Sequence, residues 1–169
     1  MNDILTLHSL KWRDWFFFRL LLREPSVVEE QPFNQTLSLS SLIRLFFRCL
    51  SGRQSMVMSK LMMLGSTRVG LLLLDEYDAI DQRAVISFDV HPNFRGRSLA
   101  TTGIKQLCKE AFESAAVNRI DAFVRLGHKR SYHALLNAGF VDEGVLRQYT
   151  YFKGQFIDVH ILRRCRDES

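Results

Sequence analysis

Residues 85–100, which read VISFDVHPNFRGRSLA, carry the strongest local signal in this chain. A strand-like run ends at Pro92, a short basic turn follows, and a helical pattern begins after the turn. The turn places Arg95, Gly96 and Arg97 beside the unpaired backbone N–H groups of a helix N-terminus, where the helix dipole also favours an anion. Because Gly96 has no side chain, the backbone can approach a ligand closely. The stretch therefore predicts a pyrophosphate-binding turn between a strand and a helix.

The segments after this turn predict a helix, a strand and a second helix. Apolar residues recur at three- and four-residue spacing from Ile104 to Ala115, which is typical of an amphipathic helix that Asn118 can end. Residues 119–125 have the composition of a strand. Residues 131–140 predict a short helix that stops at Gly139.

These motifs, in this order, resemble the two signatures of the GNAT N-acetyltransferase superfamily. The first signature is Gln/Arg-x-x-Gly-x-Gly/Ala, in which Arg95 takes the first position and Ala100 the last. Ser98 stands where the family has glycine, and its side chain either crowds the ligand or caps the helix. The second signature is a short helix with an early Ser and a closing Gly-Phe, here Ser131 and Gly139-Phe140. The resemblance covers the last half of the chain well and the first half only in element order.

The resemblance implies one acyl-CoA N-acyltransferase domain over residues 1–169. The expected fold class is α/β (α+β), with a mixed, mostly antiparallel twisted sheet flanked by helices. The remaining predicted elements are strand 4–7, helix 12–23, loop 24–35, helix 38–50, and strands 54–64, 67–74 and 83–90.

The resemblance also implies acetyl-CoA as the acyl donor and assigns residues to it. The pyrophosphate would lie among Arg95, Gly96, Arg97, Ser98, Leu99 and Ala100. The backbone of Phe88, Asp89 and Val90 would pair with the pantetheine arm and help to polarise the thioester. His128 stands where many relatives have an asparagine.

The usual proton donor of the family is missing from the sequence. Many relatives have a tyrosine four residues before the glycine of the second signature, and that position is Leu135 here. Either water or another residue must then protonate the departing thiolate. Tyr132 and His133 lie nearby, but we interpret them as packing or surface residues.

The C-terminal hairpin offers a substitute. With a two-residue turn at Lys153-Gly154, the strands 145–152 and 155–162 would pair Tyr149 with Asp158, Arg147 with His160 and Tyr151 with Phe156. One face would then carry Arg147, Tyr149, Tyr151, Asp158 and His160. We predict Tyr149, assisted by Asp158 or by Asp89, as the catalytic group. The alternative is an ordinary solvent-exposed face with a hydrogen bond between Asp158 and Tyr149. The prediction depends on the register, since a slip of one residue would separate these side chains.

Composition limits the other function classes. The chain has 169 residues, 24% charged and 47% hydrophobic, with a net charge of +5, as expected for one globular domain with an anionic ligand such as CoA. Nucleic acid is not favoured, because the only dense basic run is 163–166. Three cysteines without metal-ligand spacing predict no metal and a reducing compartment. The absence of a signal peptide or an apolar span in the sequence predicts a cytoplasmic protein.

The helix predicted at 38–50 has two explanations of its apolar face. That face consists of Leu42, Leu45, Phe46, Cys49 and Leu50, with Arg44 and Arg48 beside it. It could attach to a membrane surface or pack on the sheet, and we favour packing, hence no membrane partner. The resemblance implies that this helix and the loop 24–35 border the acceptor pocket. A homodimer is left open.

The resulting prediction is an N-acetyltransferase that moves an acetyl group from acetyl-CoA to a primary amine. The layout looks most like the RimJ/RimL-type branch and its amino-sugar-modifying relatives, whose acceptors include protein N-termini, polyamines and amino sugars. The alternative is a catalytically inactive GNAT-like sensor or interaction module that binds CoA. Leu135 and Ser98, which depart from the family pattern, motivate that alternative.

Overall fold

The computed structural model describes residues 4–29, 37–51 and 58–168. In these residues seven strands form one sheet in the order β1-β2-β3-β4-β5-β7-β6. The strands are β1 Leu5–Ser9, β2 Met58–Leu64, β3 Thr67–Asp78, β4 Arg83–Val90, β5 Arg119–Arg125, β6 Val141–Phe152 and β7 Gln155–Cys165. The β4–β5 pair is parallel and the other neighbouring pairs are antiparallel, which confirms the expected mixed sheet.

Helices cover both faces of this sheet. They are α1 Trp15–Arg23, α2 Pro25–Val28, α3 Leu39–Ser51, α4 Leu99–Ser114 and α5 Lys129–Asn137, with single 3₁₀ turns at Trp12–Asp14, Pro92–Phe94 and Arg166–Glu168. The first three helices pack on one face, and α4 and α5 pack on the other. Apart from the short α2, which forms inside the predicted loop 24–35, the described elements follow the predicted order.

Strand β3 shows why the sheet needs helices on both sides. Successive residues of a strand point to opposite faces, and both faces of β3 are apolar. Leu71 packs in the cluster that contains Phe18 and Phe46, whereas Leu72 packs in the cluster that contains Ile104. The chain therefore has two hydrophobic cores that share one sheet.

A buried carboxylate fastens the start of the first helical segment to the sheet. Asp14, only 3% exposed, accepts hydrogen bonds from Arg68 Nε at 2.9 Å and Arg68 Nη2 at 2.8 Å. The backbone N–H of Lys11 donates to its other oxygen at 2.8 Å. Because β3 holds Arg68, this arrangement positions the helices on that face relative to the sheet.

Several predicted boundaries differ from the structure. Helix α4 ends at Ser114, before Asn118, because Ala115 is extended. Asn118 lies just before β5, and its N–H bonds to the carbonyl of Gln82, the residue before β4. Strand β3 continues past Leu74 through an irregularity between Asp75 and Asp78. Strand β2 begins at Met58, and the remainder of the predicted strand, residues 54–57, lies outside the described residues, as do residues 30–35 of the predicted loop.

The C-terminal hairpin confirms the predicted turn but corrects the register. Lys153 and Gly154 both have positive φ, 48° and 88°, and Tyr151 pairs with Phe156 as predicted. Between Leu146 and Thr150, however, three residues bulge out opposite one residue of β7. The predicted pairing of Arg147 with His160 is therefore wrong.

The bulge also disperses the polar face that the sequence predicted. His160 pairs with Val145 instead of Arg147, and the register contains no pairing of Tyr149 with Asp158. Gln148, in the centre of the bulge, has φ 49° and donates its backbone N–H to Asp158 Oδ1 at 2.9 Å. Asp158 is thus held by the bulge backbone instead of by Tyr149.

Candidate active site

The two parallel strands at the centre of the sheet separate after a short contact. Residues Arg83–Val85 of β4 pair with Arg119–Asp121 of β5, and the ladder ends there. The remaining half of β4, Ser87–Val90, pairs only with β3 on its other side. A wedge therefore opens between β4 and β5, and both cavities described below lie against it.

The turn after β4 adopts a conformation that suits anion binding. Gly96 has φ +76°, and a Cβ placed on it would meet no atom within 4 Å, so this position faces open space. The first intrahelical bond of α4 runs from Thr102 N–H to the carbonyl of Ser98 at 3.0 Å. The N–H groups of Leu99, Ala100 and Thr101 precede that bond and belong to the free helix start.

The structure shows what Ser98 does at the position where the family pattern has glycine. It takes the left-handed conformation, with φ 57° and ψ 15°, and its side chain makes no capping hydrogen bond. Glycine adopts this conformation without strain, which explains on physical grounds why a glycine suits the position. The predicted capping role of the Ser98 hydroxyl is therefore wrong.

The first cavity lies over this turn and has a volume of about 380 Å³. Its lining residues are Phe88, Asp89, Val90, Phe94, Arg95, Gly96, Ser98, Leu99, Ala100, Thr101, His128, Lys129, Arg130, Ser131, His133, Ala134 and Asn137. The residues predicted to bind the donor all line this cavity except Arg97. The Arg97 guanidinium instead lies 5.5 Å from the ring centroid of Phe94.

The sequence analysis missed the basic residues at the start of α5. Lys129 and Arg130 follow His128 directly, and all three border the first cavity. With Arg95 they make this cavity cationic, as the binding of a phosphorylated ligand requires. The signal was present as the consecutive run His128-Lys129-Arg130 immediately before a helix.

The second cavity lies on the α1–α3 side of the wedge and has a volume of about 710 Å³. Strands β3, β4 and β5 form its floor, and α3 contributes Ser41, Arg44, Leu45 and Arg48 to its wall. This position confirms that α3 borders a pocket. The full set of lining residues is Leu22, Leu37, Ser41, Arg44, Leu45, Arg48, Leu73, Asp75, Glu76, Ile86, Ser87, Phe88, Asp89, Ala122, Phe123, Val124, Arg125, His128, Ser131 and Leu135.

The charges in this second cavity are mixed. Arg48 Nη2 donates to Asp75 Oδ2 at 2.9 Å, which joins α3 to β3. Burial raises the pKa of Asp75 above its usual value, although the Arg48 charge opposes this shift. Glu76 has φ 54° beside the β3 irregularity, so the strand alternation breaks and both carboxylates border the cavity.

The two cavities meet at four residues. Phe88, Asp89, His128 and Ser131 line both of them, at the end of β4 and the start of α5. A ligand with its phosphates in the first cavity can therefore reach a second ligand in the other cavity. This geometry suits a transfer reaction between two bound molecules, because it holds both reactants in line.

The three predicted catalytic residues are not brought together. Asp89 lies where the cavities meet, but Tyr149 and Asp158 border neither of the two cavities. Tyr149 stacks on Phe123, with 5.5 Å between ring centroids and 8° between planes, and so supports a residue of the second cavity. Arg147 Nη1 lies 3.7 Å from Asp158.

Leu135, at the position of the usual tyrosine, is fully buried and borders the second cavity. Nearby, the Tyr132 hydroxyl donates to Asp142 Oδ2 at 2.8 Å, and His160 Nδ1 lies 2.9 Å from the same oxygen. The hydrogen bond to Asp142 raises the pKa of Tyr132. Partial burial works against ionisation of Asp142, but the bonds from Tyr132, Gly144 and His160 together lower its pKa. This network ties α5 to the hairpin, which agrees with a structural role for Tyr132.

Among the described residues, no group of His, Cys, Asp or Glu side chains is arranged to hold a metal ion. In the same part of the chain, no helix is long and apolar enough to cross a membrane.

Comparisons with known proteins agree with this architecture. The family described as "Acetyltransferase (GNAT) domain" matches residues 5–141. The N-acetyltransferase p20 of Bacillus licheniformis is 34% identical over 95 residues, which cover 54% of this chain and 53% of that protein. The matched segment thus spans about half the length of this relative.

Two further similarities extend over almost the whole chain. The spermidine N(1)-acetyltransferase of Vibrio cholerae is 25% identical over 162 residues, covering 94% of this chain and 91% of that protein. A crystal structure of spermidine N-acetyltransferase from Vibrio cholerae, in complex with CoA and spermine, superposes with a TM-score of 0.86. It covers 99% of this chain and 98% of that one at 21% identity, which shows a shared fold.

Proposed function

The chain belongs to the GNAT acetyltransferase family, and we propose on that premise that it transfers an acetyl group from acetyl-CoA to a primary amine. The observation that carries the proposal is the meeting of two cavities at Phe88, Asp89, His128 and Ser131. One cavity has the cationic turn and helix start that suit a pyrophosphate. The other is larger and has a mixed polar lining that suits an amine-bearing acceptor.

In this proposal the donor lies along the wedge. The pyrophosphate binds the backbone N–H groups of residues 96–101, with Arg95, Lys129 and Arg130 supplying positive charge. The pantetheine arm follows the half of β4 that β5 leaves unpaired, residues 87–90. The acetyl thioester then lies close to Asp89 and His128, where the second cavity begins.

The reaction needs two proton movements. The amine must lose a proton, its nitrogen attacks the thioester carbon, the carbon–sulfur bond breaks, and the CoA thiolate takes up a proton. We assign Asp89 to the amine proton, received directly or through a water molecule, because it borders both cavities. Tyr149 and Asp158 border neither cavity, so the proposal leaves protonation of the thiolate to water.

The proposed acceptor is an amine of one of three kinds: a protein N-terminus, a polyamine or an amino sugar. The similarity to a spermidine N(1)-acetyltransferase supports the polyamine, as do the carboxylates Asp75 and Glu76 in the second cavity, whereas Arg44 supports an acceptor that also carries an anionic group. We further propose a single catalytic domain over residues 1–169 that acts in the cytoplasm. Three free cysteines, Cys49, Cys108 and Cys165, suit that reducing compartment.

A thiol-release assay tests this proposal. The protein is incubated with acetyl-CoA and a panel of peptides, polyamines and amino sugars, and free CoA thiol is measured over time. We expect turnover with at least one amine and none without an amine. Tight CoA binding without turnover of any amine in the panel would contradict the proposed enzymatic activity and support the alternative, a CoA-binding sensor.

A further inference from the structure

Two helical segments expose apolar side chains in regular rows. In the first, Trp12 of the 3₁₀ turn and Phe16 and Leu20 of α1 follow at four-residue intervals and are 64%, 68% and 56% exposed. On α3, Leu39, Ile43 and Phe47 follow at the same interval and are 48%, 39% and 50% exposed. The Trp12 and Phe47 rings are in edge contact, 5.0 Å apart, so the two rows adjoin. We call these six residues the outer stripe.

Helix α3 is therefore apolar on a face that the monomer leaves in water. Its core face is Leu42, Phe46 and Cys49, which are buried against the sheet. Its cavity face includes Arg44 and Arg48, and its third face belongs to the outer stripe. The apolar surface of α3 thus extends from the core face onto the neighbouring exposed face and is wider than packing on the sheet alone requires.

The outer stripe is a large exposed apolar surface that would supply part of a dimer interface. A whole aromatic side chain offers about 150–250 Å², so the exposed parts of Trp12, Phe16 and Phe47 leave roughly 300–450 Å² of aromatic surface in water. Leu20, Leu39 and Ile43 add to this area. The largest apolar patch of a typical monomer is about 300–600 Å², and a stable dimer buries about 800 Å² per partner.

We propose that a second copy of this chain covers the outer stripe, with the α1 row of one protomer packed on the α3 row of its partner. The charges of α1 select this arrangement. Arg19 and Arg23 are one turn from Phe16 and Leu20 on α1, with Lys11 and Arg13 just before the helix, and none of these four forms an ion pair within the described residues. Two α1 helices in direct contact would oppose four cations on each side, whereas Leu39, Ile43 and Phe47 of α3 carry no charge and only Arg44 borders them among the exposed residues of that helix.

The same contact reaches the second cavity. Because α3 lies between the outer stripe and that cavity, a partner packed on Ile43 would hold the wall formed by Arg44 and Arg48 in place. The dimer would then favour acceptor binding more than donor binding. This kinetic consequence rests on the proposed function, whereas the association itself does not.

The test measures molar mass by light scattering after size exclusion, over a range of protein concentrations. We expect twice the chain mass for the wild type, and one chain mass for Phe16→Glu and for Ile43→Glu. Ile80→Glu is the matched control: Ile80 is an isolated apolar residue, 93% exposed, and its substitution should leave the dimer intact. Circular dichroism confirms that the variants are folded.

Several outcomes would overturn the proposal. A wild type that stays monomeric at all concentrations would do so, as would Phe16→Glu and Ile43→Glu variants that remain dimers. The cationic rim also suits an anionic lipid surface, so sedimentation with phosphatidylserine vesicles is measured in parallel. Monomers that sediment with these vesicles would assign the outer stripe to lipid instead.

If the protein turns over an amine, the acceptor KM supplies a second readout. We expect it to rise about tenfold in Ile43→Glu while the Kd for CoA stays unchanged. If no amine in the panel is acetylated, KM cannot be measured, and the molar mass alone then tests the dimer. Failure of the proposed function and failure of the dimer are thereby distinguishable.

Discussion

The two sides of the sheet build their cavities in different ways. The first cavity is made by one contiguous stretch, the end of β4 through the first turn of α4, together with α5 and the residue before it. The second cavity collects residues from α1, the segment before α3, α3 itself, β3, β4, β5 and α5. A site made by a local stretch depends on local backbone conformation, whereas a site made by many elements depends on how those elements pack. The predictions below separate these two dependencies.

The largest effect is expected at the attachment of the helices on the second side. Asp14→Ala removes the partner of Arg68 from a buried site and should lower the free energy of unfolding by about 3 kcal/mol. Denaturant unfolding followed by circular dichroism measures it. Asp81→Ala, at an exposed turn position, serves as the control. Equal stability of the two variants would contradict the structural role of Asp14.

Asp89→Asn tests the residue that the cavities share. Loss of the carboxylate should lower kcat about a hundredfold, since a proton acceptor contributes 10²–10⁴-fold. The Kd for CoA should change little. Tyr149→Phe keeps the stack on Phe123 and removes only a hydroxyl that lies outside both cavities, so its kcat should stay within about threefold of the wild type.

The opposite order of kcat losses in these two variants would support the assignment of Tyr149 as the catalytic group, which was made from the sequence. A hundredfold loss in Tyr149→Phe with little change in Asp89→Asn would mean that the hairpin, and not the end of β4, moves the proton. Steady-state kinetics at saturating acetyl-CoA distinguishes the two outcomes.

Gly96→Val tests the local site alone. Its positive φ of 76° disfavours a β-branched residue, and the new side chain would project into the space over the turn. We expect the Kd for CoA to rise at least tenfold, about 1.4 kcal/mol, as measured by calorimetry. Gly144→Val introduces comparable backbone strain at φ 138°, away from both cavities, and should leave CoA binding unchanged. Similar losses in both variants would indicate a general folding effect instead of a local one.

Ser98→Gly should have a small effect of the opposite sign. Glycine relieves the left-handed strain at φ 57°, and no capping hydrogen bond is lost. We expect CoA affinity within about threefold of the wild type and a gain of up to about 1 kcal/mol in the free energy of unfolding. A tenfold loss of CoA affinity would instead show that the hydroxyl contacts the ligand.

The smallest effect concerns the Tyr132–Asp142 bond. The folded protein lowers the pKa of Asp142, so this carboxylate stabilises the fold above its unfolded pKa and ceases to do so as pH falls through the folded value. Tyr132→Phe removes one cause of the lowering. Its stability deficit against the wild type should therefore be present at neutral pH and shrink below about pH 4. A deficit that does not vary with pH would assign the effect to packing.

Features that depend on a few consecutive residues were predicted correctly from the sequence, whereas features that depend on packing between distant segments were not. The turn around Gly96, the helix end at Gly139 and the Lys153-Gly154 turn were predicted because each depends on a few consecutive residues with restricted backbone conformations. The predicted pairing across the C-terminal hairpin is wrong because simple alternation does not reveal the bulge at Arg147–Tyr149. In the bulge the Gln148 N–H bonds to Asp158 across the hairpin, and Tyr149 stacks on Phe123 of β5. Lys129 and Arg130 were missed although their spacing relative to the helix start was visible.

The sequence by itself determined the order of the elements, the strand–turn–helix around Gly96 and the family to which the chain is similar. These features follow from periodicity and from local backbone preferences, which short segments carry within themselves. Only the tertiary structure decided that β4 and β5 separate after Val85, that two cavities meet at Asp89, and that the outer stripe lies outside both hydrophobic cores. Each of these depends on which faces of distant segments come into contact. No local pattern encodes such contacts, because an apolar face has the same sequence whether the core, a ligand or a second copy covers it.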